Sequence, residues 1–278
     1  MVLHEFAVHG ACNRGFGGRG IVGGLLAGML GVGGGVIIVP ILYPVLGALG
    51  YGGGLGMKVA VATSLATIIA TSTASMSSHH KRSSVMWPLV RSWIVPIVLG
   101  VVVGCLVGGY VDGRLLAAVF AAVALTIAIR TLFFRPAPKD GAGFSNDVVK
   151  WMFGAVIGMV STLMGIGGGA LSVPILTTFG YDVRKAVGTA AAIGFLIGAP
   201  GTLGYIATGV DVPGRPPFSL GFVSVPSALT LLPLTMVMAP VGARIAHSVK
   251  PRTLELWFSL FLTITAAKMI FDLTRSFV

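Results

Sequence analysis

The first chemistry this chain offers is carried by backbone amides. The phrase Gly31-Val32-Gly33-Gly34-Gly35-Val36-Ile37-Ile38-Val39-Pro40-Ile41-Leu42 returns as Gly165-Ile166-Gly167-Gly168-Gly169-Ala170-Leu171-Ser172-Val173-Pro174-Ile175-Leu176. Both copies lie in long apolar stretches, where three consecutive glycines and then a proline are poorly suited to continuous helix. Each copy is expected to break a helix at membrane depth, with Pro40 and Pro174 acting as structural breakers. A helix that starts inside the membrane aims unpaired N–H groups and the positive end of its dipole into the gap. That arrangement suits an anion. If Val36 and Ala170 begin the second half-helices, the nearest donors come from Gly33, Gly34, Gly35, Gly167, Gly168 and Gly169. The same glycines could instead let two helices cross tightly. Their doubling, with matching prolines, favours the site, and Gly34→Leu or Gly168→Leu is expected to abolish binding without unfolding the protein.

Side chains near the breaks extend the candidate list. The stretch Lys58 to Met76 carries Thr63, Ser64, Thr67, Thr71, Ser72, Thr73 and Ser75, as packing hydroxyls or as a polar stripe facing substrate. Thr63 and Ser64, with Thr189 at the matching place in Ala186-Val187-Gly188-Thr189-Ala190, are substrate candidates. Lys58, Arg184 and Lys185 stand at the entrances to the segments that follow the breaks. They are candidate cations for the anion, although topogenic charge at the membrane surface explains them equally. Arg91 and Arg244 are similar candidates, and the adjacent His79 and His80 read as exposed loop histidines.

The acidic residues set the sign of the substrate. Glu5, Asp112, Asp140, Asp147, Asp182 and Asp211 fall in tails or loops, and Glu255 and Asp272 lie near the ends of the last segment. No carboxylate is expected at mid-membrane, where cation pumps and carboxylate-based exchangers usually need one. No His/Asp/Glu cluster, nucleophile-base pair or nucleotide loop suggests a metal, a cofactor, an enzyme or a primary pump. Cys12 and Cys105 provide neither a disulfide framework nor metal spacing.

The elements that position these groups follow from composition. Hydrophobic residues make up 55% of the 278-residue chain, charged residues 10%, and mean hydropathy is +0.95. Apolar runs longer than about 18 residues recur, each long enough to cross a bilayer as helix. The expected fold is an all-α integral membrane protein, a polytopic helical bundle. The formal net charge of +11 comes mostly from Lys and Arg at the ends of apolar runs, which argues against nucleic acid.

Four segments appear twice. Residues 1–20 form an N-terminal tail, 21–134 a first membrane repeat, 135–150 a polar linker and 151–278 a second repeat. The first repeat reads as segments at 21–49, Lys58 to Met76, Trp93 to Tyr110 and Leu115 to Phe134. The second reads as Trp151 to Phe179, Ala186 to Thr208, Phe218 to Ile245 and Leu254 to Phe277. Gly100, Gly104 and Gly108 give the third segment one flat packing face. The glycine phrases are offset by 134 residues, Ala60-Val61 and Ala186-Val187 by 126, and Arg114 and Arg252 by 138. Such duplication marks secondary transporters, whose site tends to lie where the repeats meet. Full crossing by all eight segments would make the repeats parallel, whereas re-entrant hairpins at segments one and five would make them inverted. Lys and Arg divide equally well under either arrangement, and both place His79 to Arg82 and the linker in the cytoplasm. The length of Trp151 to Phe179 exceeds one simple crossing and favours inverted repeats.

The doubled G-x-G-G-G-x(4)-P-x-L pattern, the A-V-x-T segments and the four-plus-four duplication resemble the sulfite exporter TauE/SafE family of bacterial membrane transporters. The resemblance runs from Gly24 to Phe271. It implies a multi-pass protein of the cytoplasmic membrane that moves a small sulfur-containing anion such as sulfite, thiosulfate or an organosulfonate. The partners implied are that anion, the lipid bilayer and a coupling proton or ion. An anion channel is the nearest rival, since the same helix ends could line a pore.

Overall fold

The computed structural model describes residues 35–133, 143–144, 146–233, 235–236 and 251–275. Gly33, Gly34, Arg244, the N-terminal tail, the front of segment one, most of the linker and the end of segment seven lie outside the described residues.

Among the described residues the fold is carried by α1 Gly35–Ala48, α2 Gly53–Lys81, α3 Trp87–Tyr110, α4 Gly113–Phe133, α5 Asp147–Met164, α6 Gly169–Thr178, α7 Val183–Gly209 and α8 Pro251–Arg275, with a further helical stretch at 225–233. Five of them, α2, α3, α4, α5 and α7, are long and apolar enough to cross a membrane. The chain is thus an all-α, multi-pass membrane protein. Local sequence sets the boundaries. Asn146 caps α5 by accepting from Val148 N at 2.8 Å, and Asp182 caps α7 by accepting from Arg184 N and Lys185 N at 2.9 and 3.2 Å. These side chains satisfy amides that a helix start leaves bare.

Segment seven differs from its sequence reading at its start. Ser219–Leu220 (β1) pairs antiparallel with Val223–Ser224 (β2), Ser219 opposite Ser224 and Leu220 opposite Val223. Helix begins only after this hairpin, over 225–233. Gly221 takes φ +56° at the tip, the left-handed region that a tight hairpin loop requires. Phe222 then turns into the core against Tyr205, with ring centroids 6.3 Å apart.

Glycine decides the packing. Gly100 and Gly104 of α3 seat on the backbone of Ala155 and Met159 in α5, Gly158 of α5 seats on Ile97, and Gly108 meets the Tyr205 ring. The small residues let backbones approach closely, as membrane helix pairs require. In the centre, α2 and α7 run antiparallel: Leu65 meets Gly201, Ile68 meets Gly198 and Ser72 meets Gly194. On the outside, α3 turns Val95, Leu99, Val102, Val103 and Leu106 outward, the face a bilayer covers.

The helices α5 and α6 form a hairpin. Phe179, just past α6, lies 5.3 Å from Phe153 and 4.2 Å from Phe144 between ring centroids, and Gly143 N donates to Phe179 O at 3.1 Å. The chain therefore leaves α6 at the end where it entered α5. At that mouth, burial holds the Tyr181 phenol above its ordinary range, with the Lys150 ammonium partly offsetting.

Candidate functional site

The turn between α5 and α6 is built by one glycine in the left-handed region. Gly165 has φ 65° and ψ 29°, a conformation that costs a side-chain-bearing residue about 1 kcal/mol or more. Gly165 N donates to Thr162 O at 3.3 Å and Ile166 N to Ser161 O at 2.9 Å. These two bonds close α5 as a Schellman motif. Helix resumes at Gly169, and the first return bond into it runs from Ser172 N to Gly168 O at 2.9 Å. The N–H groups of Gly167, Gly168, Gly169, Ala170 and Leu171 consequently meet no acceptor among the described residues. They form a row of five donors at the positive end of α6.

The first glycine phrase presses against this row. A Cβ on Gly35 would lie 2.7 Å from Gly165 O and 3.0 Å from Gly167 N, so only hydrogen fits between the two copies. A Cβ on Gly165 would lie 2.8 Å from Val61 Cα and 3.0 Å from Val39 Cγ2, so the second turn is wedged between α1 and α2. Ser64 Oγ donates to Gly165 O at 2.7 Å and lies 3.5 Å from Gly35 O. The structure thus gathers Gly35, Gly167, Gly168, Gly169 and Ser64 into one buried region between α1, α2, α6 and α7.

The remaining sequence candidates stand elsewhere. Thr63 Oγ1 accepts from Ser224 N at 3.0 Å, and Thr189 Oγ1 accepts from Met86 N at 3.0 Å. Lys58 Nζ donates to Gly109 O at 2.7 Å and sits 5.4 Å above the Phe222 ring. It complements the negative end of α3. Arg184 and Lys185 are exposed at the start of α7. These three cations do not converge on the breaks. Pro40 and Pro174 do not interrupt the chain either: both lie inside the helices that follow, α1 and α6. In the second phrase the interruption falls at 165–168, because Gly165 reverses the backbone before Pro174 could act.

One further residue joins the site from the structure, Ser172, and two others, Ser161 and Arg130, stand near it. Ser172 on α6 and Ser161 on α5 are fully buried, and their hydroxyls have no hydrogen-bond partner. Helical side chains lean toward their own N-terminus, so Ser172 leans over the first turn of α6 and its free amides, while Ser161 leans away from the turn. One sequence signal was available: Ser172 is polar where the first phrase has Ile38. Arg130 on α4 donates to Pro174 O at 3.3 Å and to Thr178 Oγ1, placing a cation at the carbonyl end of α6. Among the described residues no group of His, Cys, Asp and Glu could hold a metal ion.

Comparison with known proteins adds the following. The family model for the sulfite exporter TauE/SafE matches residues 17–269. The chain is 32% identical over 250 residues to a probable membrane transporter protein of Haemophilus influenzae, covering 90% of this chain and 95% of that one. It is 26% identical over 252 residues to a probable membrane transporter protein of Methanocaldococcus jannaschii, covering 90% and 92% respectively. No solved structure matches the chain.

Proposed function

The chain belongs to the sulfite exporter TauE/SafE family, and from that premise we propose that this membrane transporter carries a small sulfur-containing anion, such as sulfite, thiosulfate or an organosulfonate, across the cytoplasmic membrane. One observation supports the site above all others: five successive amide donors, Gly167 to Leu171, meet no acceptor among the described residues, beside the contact of the two glycine phrases. An oxyanion entering there exchanges its hydration shell for amides fixed in place at the positive end of a half-helix, which need no reorganisation to receive it. The Ser172 hydroxyl supplies one more donor. Glycine at 35 and 167 keeps methyl groups away from the contact, so oxygen atoms can approach the backbone.

Sequence and packing also favour inverted repeats. The residues α2 and α7 share an offset of 126, yet the helices run antiparallel, as halves related by a two-fold axis in the membrane plane would. The α5–α6 hairpin enters and leaves on one side, as that arrangement needs. Secondary transport by alternating access follows from a site at the junction of two such halves, with a proton or another ion as coupling partner.

Flux measured in proteoliposomes tests the proposal. Radiolabelled sulfite or thiosulfate uptake should saturate and should accelerate when unlabelled anion is trapped inside. Unitary anion currents without exchange would assign a channel instead, and absence of any flux for sulfite, thiosulfate and sulfoacetate would remove the substrate class.

A further inference from the structure

We propose that Thr63 and Thr189 are the two gate residues of this transporter, each closing one membrane face by holding the first turn of a helix in the opposite half. The inference rests on the alternating-access reading above, and it reassigns two hydroxyls that the sequence alone places among the substrate ligands.

The geometry is a matched pair. Met86 is the residue immediately before α3, and its N–H donates to Thr189 Oγ1 of α7 at 3.0 Å. Ser224 is the residue immediately before the helical stretch 225–233, and its N–H donates to Thr63 Oγ1 of α2 at 3.0 Å. Thr189 follows Thr63 by 126 residues, and Ser224 follows Met86 by 138, the offsets that relate the second and fourth segments of the two halves. The two bonds join residues 103 and 161 positions apart. Each is therefore a crosslink between halves, made with the same residue type at the same place. Amides at a helix start lack intrahelical partners, so each threonine satisfies such a donor, fully buried at Ser224 and half-buried at Met86.

Position distinguishes the two bonds. Because α2 and α7 run antiparallel, Thr189 lies near the end that carries Lys81, Arg82, Arg184 and Lys185, and Thr63 near the end that carries Lys58 and the β-hairpin. The first of these ends is the cytoplasmic one by its positive charge. Each threonine stands one to three turns inside its helix, at one end of the glycine junction: Thr63 beside Ser64, which holds Gly165 O, and Thr189 beside Ala190, whose carbonyl faces Gly168. Backbone packs beside each bond. Ser84 O closes against Gly188, leaving no space for a Cβ, and Phe222 N donates to Tyr205 O at 3.2 Å beside Thr63. The structure holds both bonds at once. Opening toward the cytoplasm requires α3 to part from α7 and breaks the Thr189 bond alone. Opening outward breaks the Thr63 bond alone. Neither threonine needs to touch the anion for this.

Side-specific labelling decides the matter without any substrate. Ala60 and Ala186, one turn nearer the surface than Thr63 and Thr189, are both fully buried. Each becomes a single reporter as Ala60→Cys or Ala186→Cys in the full chain carrying Cys12→Ser and Cys105→Ser. A membrane-impermeant maleimide is then added to right-side-out or inside-out vesicles. Losing one buried hydrogen bond shifts a closed-to-open equilibrium by about two- to tenfold. Thr189→Val should raise labelling at 186 from the cytoplasmic face by that factor and leave position 60 no more reactive. Thr63→Val should do the reverse. Thr189→Ser and Thr63→Ser keep the acceptor and should label like the parent. Equal labelling on both faces, no change in either valine variant, or serine variants that label like valine would each overturn the gates. Because the readout is independent of flux, the gates can fail while anion transport stands, and the substrate assignment can fail while they stand.

Discussion

Ser172→Ala separates a site hydroxyl from a packing hydroxyl because its two effects have opposite signs. In the ligand-free protein this hydroxyl is fully buried and bonds nothing. A buried polar group without a partner costs about 1–3 kcal/mol, and alanine is also the better helix former by about 0.5 kcal/mol. Removing the hydroxyl should therefore stabilise the empty protein by about 1 kcal/mol or more, a rise in melting temperature of about 2–4 °C for a chain of this size. With anion bound, the hydroxyl that leans over the first turn of α6 donates to a charged oxygen, a bond of about 1.5–3 kcal/mol. The variant should bind sulfite or thiosulfate about 10- to 100-fold more weakly. Detergent-purified protein serves for both readouts, by thermal unfolding without ligand and by a binding isotherm. Ser161→Ala is the internal control. It also deletes a buried, unpartnered hydroxyl, but one leaning away from the turn, so it should stabilise without weakening binding. If Ser172→Ala leaves affinity within about twofold of the parent, or if both variants weaken it alike, the hydroxyl does not belong to an anion site and the reasoning fails.

Packing at the second phrase separates Gly168 from Gly167. A Cβ at Gly168 would lie 2.6 Å from Ile193 Cγ2, 2.9 Å from Ala190 O and 2.9 Å from Gly194 N, and overpacking of this kind costs about 1–3 kcal/mol. Gly168→Ala should therefore lower the melting temperature by about 3–8 °C, so the larger Gly168→Leu cannot leave the fold intact as the sequence reading expects. Gly167→Ala, whose nearest neighbour would be Ile68 Cγ2 at 3.4 Å, should melt within about 2 °C of the parent. Lys58→Met loses the bond to Gly109 O and the charge at the end of α3, which should cost about 1–2 kcal/mol in thermal unfolding while the binding isotherm keeps its midpoint. Arg184→Gln and Lys185→Gln, at exposed positions, should each leave affinity within about twofold at roughly 0.15 M salt; a tenfold loss in either isotherm would return these cations to the site.

Contacts between neighbours in sequence were the legible part of this protein, and contacts across the fold were not. Glycine interrupts a membrane helix by its own backbone freedom, so the break at 165–168 follows from residues that lie together in the chain, whereas the contact of Gly35 with Gly165 and Gly167 joins distant positions. Boundaries of α4 and α7 fall within a turn of the apolar runs, whereas α3 begins six residues before Trp93 and helix in segment seven begins seven residues after Phe218. A cation at a helix end has no such local signature. Lys58 neutralising the end of α3 and Lys58 meeting an anion require the same residue at the same place, and only the position of Gly109, 51 residues away, separates the two roles. Hydroxyls are ambiguous for the same reason. Thr63 and Ser64 are adjacent in sequence, but they meet different partners: Ser224, just before a helical stretch remote in sequence, and Gly165, at the break. The hairpin of β1 and β2 was hidden because Phe218 to Ser224 is as apolar as a helix start, and only Gly221 and the burial of Phe222 against Tyr205 turn it into a reversal. Charge counting came out even because surface cations follow helix ends under either topology. The meeting of Phe153 and Phe179 at one mouth shows that segment five folds back on itself, a long-range contact that no count of surface charge could reveal.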